Sequence, residues 1–413
     1  MSDLNITVYG AYWCPDCRIS KQFLGENQIP YQWVNIEEDK EGEKHITELN
    51  KGKRIIPTIT FGDDSFLVNP SNTELADKLG LVTTAKRTHY DLIVLGAGPA
   101  GLTAALYAGR EAIDTLVIER AAIGGQAATT EKLDNMPGFP ESISGQDFSQ
   151  RLRQQAEQFG AEVLQAQEIS SVSSHDNYHI VTTQDGSEYS ANALLIASGS
   201  RYRHLGIDGE NDYIGAGVHF CATCDGPFYK GKEIVVVGGG ESAAEESLLL
   251  TKFAKKVIIL VRQNKFKASS IIQEKVLSHP KIEVRWNTEV REFIGAESHL
   301  NKLLLVNNQT GEESELIIDG AFIFIGLDPN TAFLENTSIK LNEWKFIITG
   351  HNLVHDAPPP PEFNGREPSF LETSVPGIFV AGDVRSGSTK QVVSAAGEGA
   401  AAVLLIRDYL KTV

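Results

Sequence analysis

The sequence predicts an α/β protein in three parts: a small N-terminal unit, then two larger units that each open on a strand, a glycine turn and a helix. Three observations carry that reading. Residues 1–80 alternate short β-branched runs with helical runs around the stretch WCPDC. An apolar run from Tyr90 leads into G-x-G-x-x-G at Gly96, Gly98 and Gly101, and a helical pattern follows. A second apolar run from Glu233 leads into G-x-G-x-x-A at Gly238, Gly240 and Ala243, again with a helical pattern behind it.

The elements of the first part follow in order. NITVY (5–9) is a short β-branched strand. Pro15 takes the first helical position, where its missing N–H costs nothing, and Ile19, Phe23 and Leu24 form the apolar stripe behind it. YQWVNI (31–36) is a second strand and 40–50 a second helix. IIPTITF and SFLVN flank the turn GDD as a hairpin. SNTE (71–74) is a capping box that opens a last helix running to Gly80. Residues 81–89 are a linker that reaches at most about 30 Å when extended.

Bulk properties narrow the function. The 413 residues suffice for two or three cores, and 41% hydrophobic with 22% charged residues is ordinary for a globular chain. A net charge of −17 argues against nucleic acid or anionic membrane as a partner, since phosphate binding needs basic patches. The start MSDLNITVYG lacks the basic and apolar stretches of a signal peptide, and no apolar run spans a bilayer. A soluble, cytoplasmic protein is expected.

The four cysteines, Cys14, Cys17, Cys221 and Cys224, all lie in CxxC pairs. In a reducing compartment paired cysteines are redox-active or metal-bound. Zinc ribbons separate their pairs by a short loop, whereas here about two hundred residues intervene, so two redox pairs with no metal are expected.

The order β-α-β-α-β-β-α, with CxxC at the first strand–helix junction, resembles the thioredoxin fold. WCPDC, IPT (56–58) and NPS (69–71) resemble the glutaredoxin-like mycoredoxins more closely. The resemblance implies a cis proline at Pro57 facing the dithiol. The chain departs from ordinary glutaredoxins at Asp16, where they carry an aromatic residue. It departs again at VNPS (68–71), where they carry a glycine pair that helps hold glutathione. At a helix N-terminus the dipole favours a thiolate on Cys14, while the Asp16 carboxylate opposes it. Cys14 is expected to attack and Cys17 to resolve.

The first glycine motif has the context a dinucleotide needs: a strand before, a helix after, and Glu119 ending the next strand to accept from a ribose. In the second copy the next strand ends in Val261-Arg262 with no acid, and Lys265 and Lys267 are near; an arginine there suits a 2′-phosphate, hence NADPH. Between the copies lies HFCATCDGPFYKG. With GGQAATTEKLDNMPGFP (124–140), ASGS (197–200), IGLDPN (325–330) and AGDVR (381–385), the chain from residue 90 onward resembles low-molecular-weight thioredoxin reductase.

That resemblance implies an FAD-binding domain over 90–204 and 321–413, with an NADPH-binding domain over 205–320 carrying the second CxxC. FAD would be held by Gly96, Gly98, Pro99, Ala100, Gly101, Glu119, Gly125, Gln126, Asn135, Gly199, Gly382, Asp383, Lys390, Gln391 and Val392. NADPH would be held by Gly238, Gly240, Glu241, Ser242, Ala243, Arg262 and Lys267. The resemblance also implies that Cys224 faces the flavin, that Cys221 attacks the outgoing disulfide, that Asp225 is the acid/base, and that the protein is a homodimer. The family's His-Arg-Arg reads Val261-Arg262-Gln263 here, and Lys390 stands where an arginine is common. Residues 344–369, with the run APPPPEF, are an added surface loop.

The expected route runs from NADPH through FAD and Cys221–Cys224 to the fused Cys14–Cys17 pair and on to an external disulfide. Fusion raises the effective concentration of the acceptor. Two alternatives stay open: an electron donor to a peroxiredoxin, like the flavoprotein subunit of alkyl hydroperoxide reductase, and a redox-sensing adaptor without turnover.

Overall fold

The computed structural model describes residues 5–413 apart from 12, 27–28, 129, 131–132, 134, 176–177, 297–298, 355–358, 360 and 364. The N-terminal part comprises β1 (Ile6–Gly10), α1 (Pro15–Glu26), β2 (Tyr31–Asn35), α2 (Lys40–Leu49), β3 (Thr58–Thr60), β4 (Phe66–Val68) and α3 (Asn72–Lys78). Its sheet order is β2-β1-β3-β4, parallel between β1 and β2 and antiparallel elsewhere. The strand period of two turns Ile6 and Val8 inward, where Phe23, Leu24, Ile59 and Leu75 close the core. Ser71 and Glu74 form both halves of the capping box of α3.

One expectation fails here: Ile19 is 51% exposed. A helix advances about 100° per residue, and the buried face of α1 is set by Cys17, Ser20, Phe23 and Leu24, which leaves Ile19 to one side.

Residues 81–90 do not hang free. The Val82 carbonyl accepts from Gln165 N (2.8 Å), the Thr83 carbonyl from Gln167 Nε2 (2.9 Å) and the Thr88 carbonyl from Ser190 N (2.8 Å), while Lys86 N donates to Glu162 (2.8 Å). Ala166 is buried in the same cluster as Ile6, Phe23, Ile59 and Leu75, so the N-terminal part is seated on the next one.

That next part is built from β5 (His89–Leu95), α4 (Pro99–Arg110), β6 (Thr115–Ile118), α5 (Gly125–Ala128), α6 (Gly145–Gln158), β7 (Glu162–Leu164), β8 (Ile169–His175), β9 (Tyr178–Thr183) and β10 (Glu188–Ile196). The sheet runs β7-β6-β5-β10-β9-β8, parallel as far as β10. Leu92, Ile93, Val94 and Leu95 are all buried, as befits a strand inside a parallel sheet.

By contact the chain divides into two bodies, 1–129 with 144–199 and 329–413, and 130–143 with 200–328. The second body holds β11 (Ser200–Tyr202), β12 (Val218–His219), α7 (Ala222–Asp225), β13 (Glu233–Val237), α8 (Glu241–Leu250), β14 (Lys256–Val261), α9 (Ser270–Leu277), β15 (Ile282–Trp286), β16 (Thr288–Ala296), β17 (His299–Asn307), β18 (Glu313–Ile317), β19 (Gly320–Ile323) and β20 (Leu327–Pro329). Its main sheet is parallel, β12-β19-β13-β14-β15, and β16-β17-β18 is antiparallel. The chain then returns to the first body with β21 (Ile378–Val380), paired to β10, and α10 (Val392–Leu410). Pro358 and Pro360 of the proline run at 358–361 lie outside the described residues, and Pro361–Phe363 is a 3-10 turn. Among the described residues no helix is long and apolar enough to cross a membrane.

Candidate active site

Cys14 lies where β1 gives way to α1, and its sulfur is bonded to that of Cys17. The Cys14 Sγ accepts from Cys17 N at 3.1 Å, so an amide of the first helical turn already points at the sulfur that would carry negative charge. Both cysteines are buried. Gly10 makes room for them: a Cβ there would lie 2.7 Å from Cys17 Sγ and 2.7 Å from the Trp33 ring. Trp13 stands exposed beside the pair, its indole N–H donating to Glu37 at 2.9 Å. Asp16 is exposed in the first turn. The Ile56–Pro57 bond is cis, and the Pro57 carbonyl accepts from Asn69 N at 2.7 Å.

The second dithiol repeats the design. Cys221 is the N-cap of α7, is bonded to Cys224, and its Sγ accepts from Cys224 N at 3.2 Å. Asp225 closes the helix, with Oδ1 3.5 Å from Nδ1 of His219, and His219 Nε2 lies 2.7 Å from the Tyr229 hydroxyl. Burial first, and then the Asp225 charge, push the Tyr229 hydroxyl well above its usual value. The sequence reading missed His219 and Tyr229. The only hint was a histidine two places ahead of a CxxC.

The first glycine loop is a close-packed turn with one open place. A Cβ on Gly96 would come within 2.5 Å of the Ala197 carbonyl, and one on Gly101 within 1.9 Å of the Gly96 carbonyl. A Cβ on Gly98 would meet nothing within 4 Å, and Gly98 caps α4, followed by Pro99, with no side-chain bond. That opening before a helix N-terminus is the shape a pyrophosphate needs. Glu119, buried, accepts from Ala97 N (2.7 Å) and Ala121 N (2.9 Å), leaving a second lone pair on each oxygen for ribose hydroxyls. Burial raises its pKa against these bonds.

Gly125, with φ 54°, approaches the Gly98 Cα, placing the start of α5 and Gln126 beside the loop. Ala100 receives two neighbours: a Cβ on Gly382 would touch its methyl at 3.1 Å, and one on Gly399 of α10 would meet its carbonyl at 2.1 Å. Gly382, the neighbour of Asp383, thus lies against both α4 and the first turn of α10, where its Cβ would also meet Ala395 at 3.6 Å; Gln391 caps α10 and Val392 begins it. Burial raises Asp383, and burial lowers Lys390 to about 8; the ammonium donates to the carbonyls of Asp383 and Arg385 and lies over Phe346. Gly382 N and Arg385 both bond Glu398, another residue the sequence did not single out. The Gly199 carbonyl accepts from Asn330 N. Asn135 falls by contact in the second body.

The second loop is built likewise. A Cβ on Gly238 would lie 2.3 Å from the Phe324 carbonyl, Gly240 faces open space and caps α8, and Ala243 is buried. Glu241 accepts from Ser269, Ser242 is exposed, and Lys267 N donates to the Gly239 carbonyl at 2.7 Å. Arg262 projects exposed from the end of β14, its carbonyl held by Asn308 at 2.7 Å. The residues of both loops therefore fit dinucleotides. Among the described residues no cluster could hold a metal ion.

Comparison with known proteins gives two family matches. Residues 90–399 match the pyridine nucleotide-disulphide oxidoreductases and residues 6–66 the glutaredoxins. The thioredoxin reductase of Bacillus subtilis is 42% identical over 78% of this chain and 95% of its own length. That of Treponema pallidum is 38% identical over 79% and 98%. Among solved structures, thioredoxin reductase from Streptococcus pyogenes aligns with a TM-score of 0.71 at 34% identity, over 79% of this chain and 99% of that one. The enzyme from Giardia duodenalis aligns with a TM-score of 0.70 at 32% identity, over 79% and 100%.

Proposed function

Because the chain belongs to the thioredoxin reductases of the pyridine nucleotide-disulphide oxidoreductase family and carries a glutaredoxin domain ahead of that body, we propose that it reduces its own Cys14–Cys17 pair from Cys221–Cys224 and passes the electrons to an external disulfide. It is a flavoprotein disulfide reductase of a family that uses FAD and NADPH. Bound at the two glycine loops, these cofactors supply the electron pair.

The remaining chemistry belongs to the chain's own residues. Cys221 thiolate attacks a sulfur of the Cys14–Cys17 disulfide, forming a mixed disulfide and releasing one thiolate of that pair, which takes a proton. Cys224 gives its proton to Asp225 and attacks Cys221 Sγ, closing the Cys221–Cys224 disulfide and freeing the second thiolate of the first pair, to which that proton returns. Cys14 then attacks the external disulfide, and Cys17 resolves it. The observation that carries this reading is that both dithiols are built alike. In each, a helix-start amide from the second cysteine is aimed at the sulfur of the first. The cysteines are all in reactive pairs, in keeping with a cytoplasmic protein, and a homodimer goes with this reading.

Stopped-flow absorbance tests it. Cys14→Ser should abolish turnover of the physiological disulfide while flavin reduction by NADPH stays intact, and Cys224→Ser, which removes the second disulfide, should leave the Cys14–Cys17 pair oxidised. Full turnover in the Cys14 variant would take the first domain off the route.

A further inference from the structure

His219 ends β12 two residues ahead of Cys221 and is buried between the rings of Tyr229 and Phe322, each 5.3 Å away. We propose that Tyr229 and His219 form a positioning chain that aims an imidazole N–H at Asp225 and so holds its carboxylate ready to take the Cys224 proton. The proposal rests on Asp225 as the proton-transfer group.

The chain has a direction. Tyr229 is seated against bare backbone, since a Cβ on Gly320 would come within 2.6 Å of its hydroxyl. Burial keeps that hydroxyl protonated, and in the proposed chain it is the donor to His219 Nε2, 2.7 Å away. A nitrogen that accepts leaves the ring proton of a neutral imidazole on the other nitrogen. That nitrogen, Nδ1, is the one 3.5 Å from Asp225 Oδ1, at the outer edge of hydrogen-bond reach.

The other charged groups around the pair are few. Asp319 acts on Tyr229, Lys232 lies over the Tyr229 ring, and Glu246 sits half-buried on α8, which packs against α7. None of them replaces the aimed N–H. An apolar residue at 219 would fill the space but leave the Asp225 carboxylate without its donor, and a carboxylate that loses a donor holds its proton to higher pH.

The test uses the full chain with Cys14→Ser and Cys17→Ser, so that only the second dithiol reacts. The reduced protein is oxidised by an aryl disulfide in single turnovers from about pH 4 to pH 9, a span that covers ordinary carboxyl and imidazole values. Release of the second aryl thiolate, when Cys224 attacks Cys221 Sγ, reads the step in which Asp225 takes the Cys224 proton, and the acid limb of that step is compared among the variants. His219→Leu should move that limb up by about one unit, a tenfold loss at the acid end. His219→Asn, whose amide can still donate, should restore part of it, and Tyr229→Phe should move the limb the same way by less. Limbs that superimpose on the parent in both His219→Leu and Tyr229→Phe would overturn the proposal. Should His219→Leu fail to fold, Tyr229→Phe decides alone. Asp225→Asn separates the two readings: it should remove the limb, and a limb that persists there would refute the role of Asp225 itself.

Discussion

Gly10 and Gly25 lie in the same small domain, and the structure assigns their alanine substitutions opposite signs. At Gly10 a methyl would stand 2.7 Å from Cys17 Sγ, 2.7 Å from Trp33 Cη2 and 3.0 Å from Cζ3. Carbon contacts are comfortable near 3.5–4.0 Å, so two neighbours must each retreat by close to an ångström. Neither can do so freely: Cys17 is bonded to Cys14, and Trp33 carries the Lys21 ammonium 4.2 Å from its ring centre. Overpacking of this kind costs about 1–3 kcal/mol, or roughly five- to 150-fold in the population of locally opened molecules. At Gly25, in the last turn of α1, a methyl meets nothing within 4 Å, and alanine is favoured over glycine in a helix by about 0.5 kcal/mol. Hydrogen exchange on peptides from residues 5–35 of the intact protein reads both. Gly10→Ala should speed exchange by that factor, and Gly25→Ala should slow it about twofold. Unchanged or slower exchange in Gly10→Ala would show that the dithiol does not rest on the end of β1 as described.

The other predictions concern the coenzyme and pH. Arg262 stands exposed at the end of β14, and a charge-assisted contact to a 2′-phosphate is worth ~1.5–3 kcal/mol, so Arg262→Ala should raise KM for NADPH about ten- to a hundredfold with NADH unchanged; an equal loss for both would refute the assignment. His179 is buried, bonded through Nδ1 to Ser174 with no partner on Nε2 among the described residues, and burial lowers its pKa to about 4. The unfolded chain therefore binds this proton below about pH 6.5 and the folded one only near 4. The resulting stability, up to about 3 kcal/mol, is present above 6.5 and is lost as pH falls to 4. Urea unfolding should show a smaller drop between pH 7.5 and 4.5 in His179→Gln than in the parent, and equal drops would contradict it.

What the sequence disclosed was what local spacing encodes. The capping box at Ser71, the hairpin around GDD and both glycine turns depend on residues within a few positions of one another, and all are seen in the fold. The buried face of α1 was misjudged because Ile19 fits a helical stripe by period alone, while the sheet decides which stripe is covered. Tyr229 owes its place to Gly320, and Gly382 is held by Glu398. Such pairings join segments that only the completed sheet brings together, and no window of sequence contains both partners.

The strap of residues 81–90 changes how the fusion should be thought of. Its carbonyls and amides are spent on Glu162, Gln165, Gln167 and Ser190, and the first domain rests on Ala166. Lys86 and Arg87 place two tryptic sites inside a stretch whose backbone is bonded on both sides. A molecule nicked at either would keep its first domain seated, as a two-piece assembly held by an interface. Covalent continuity would then matter for inheritance of the two modules as one gene product more than for keeping them together.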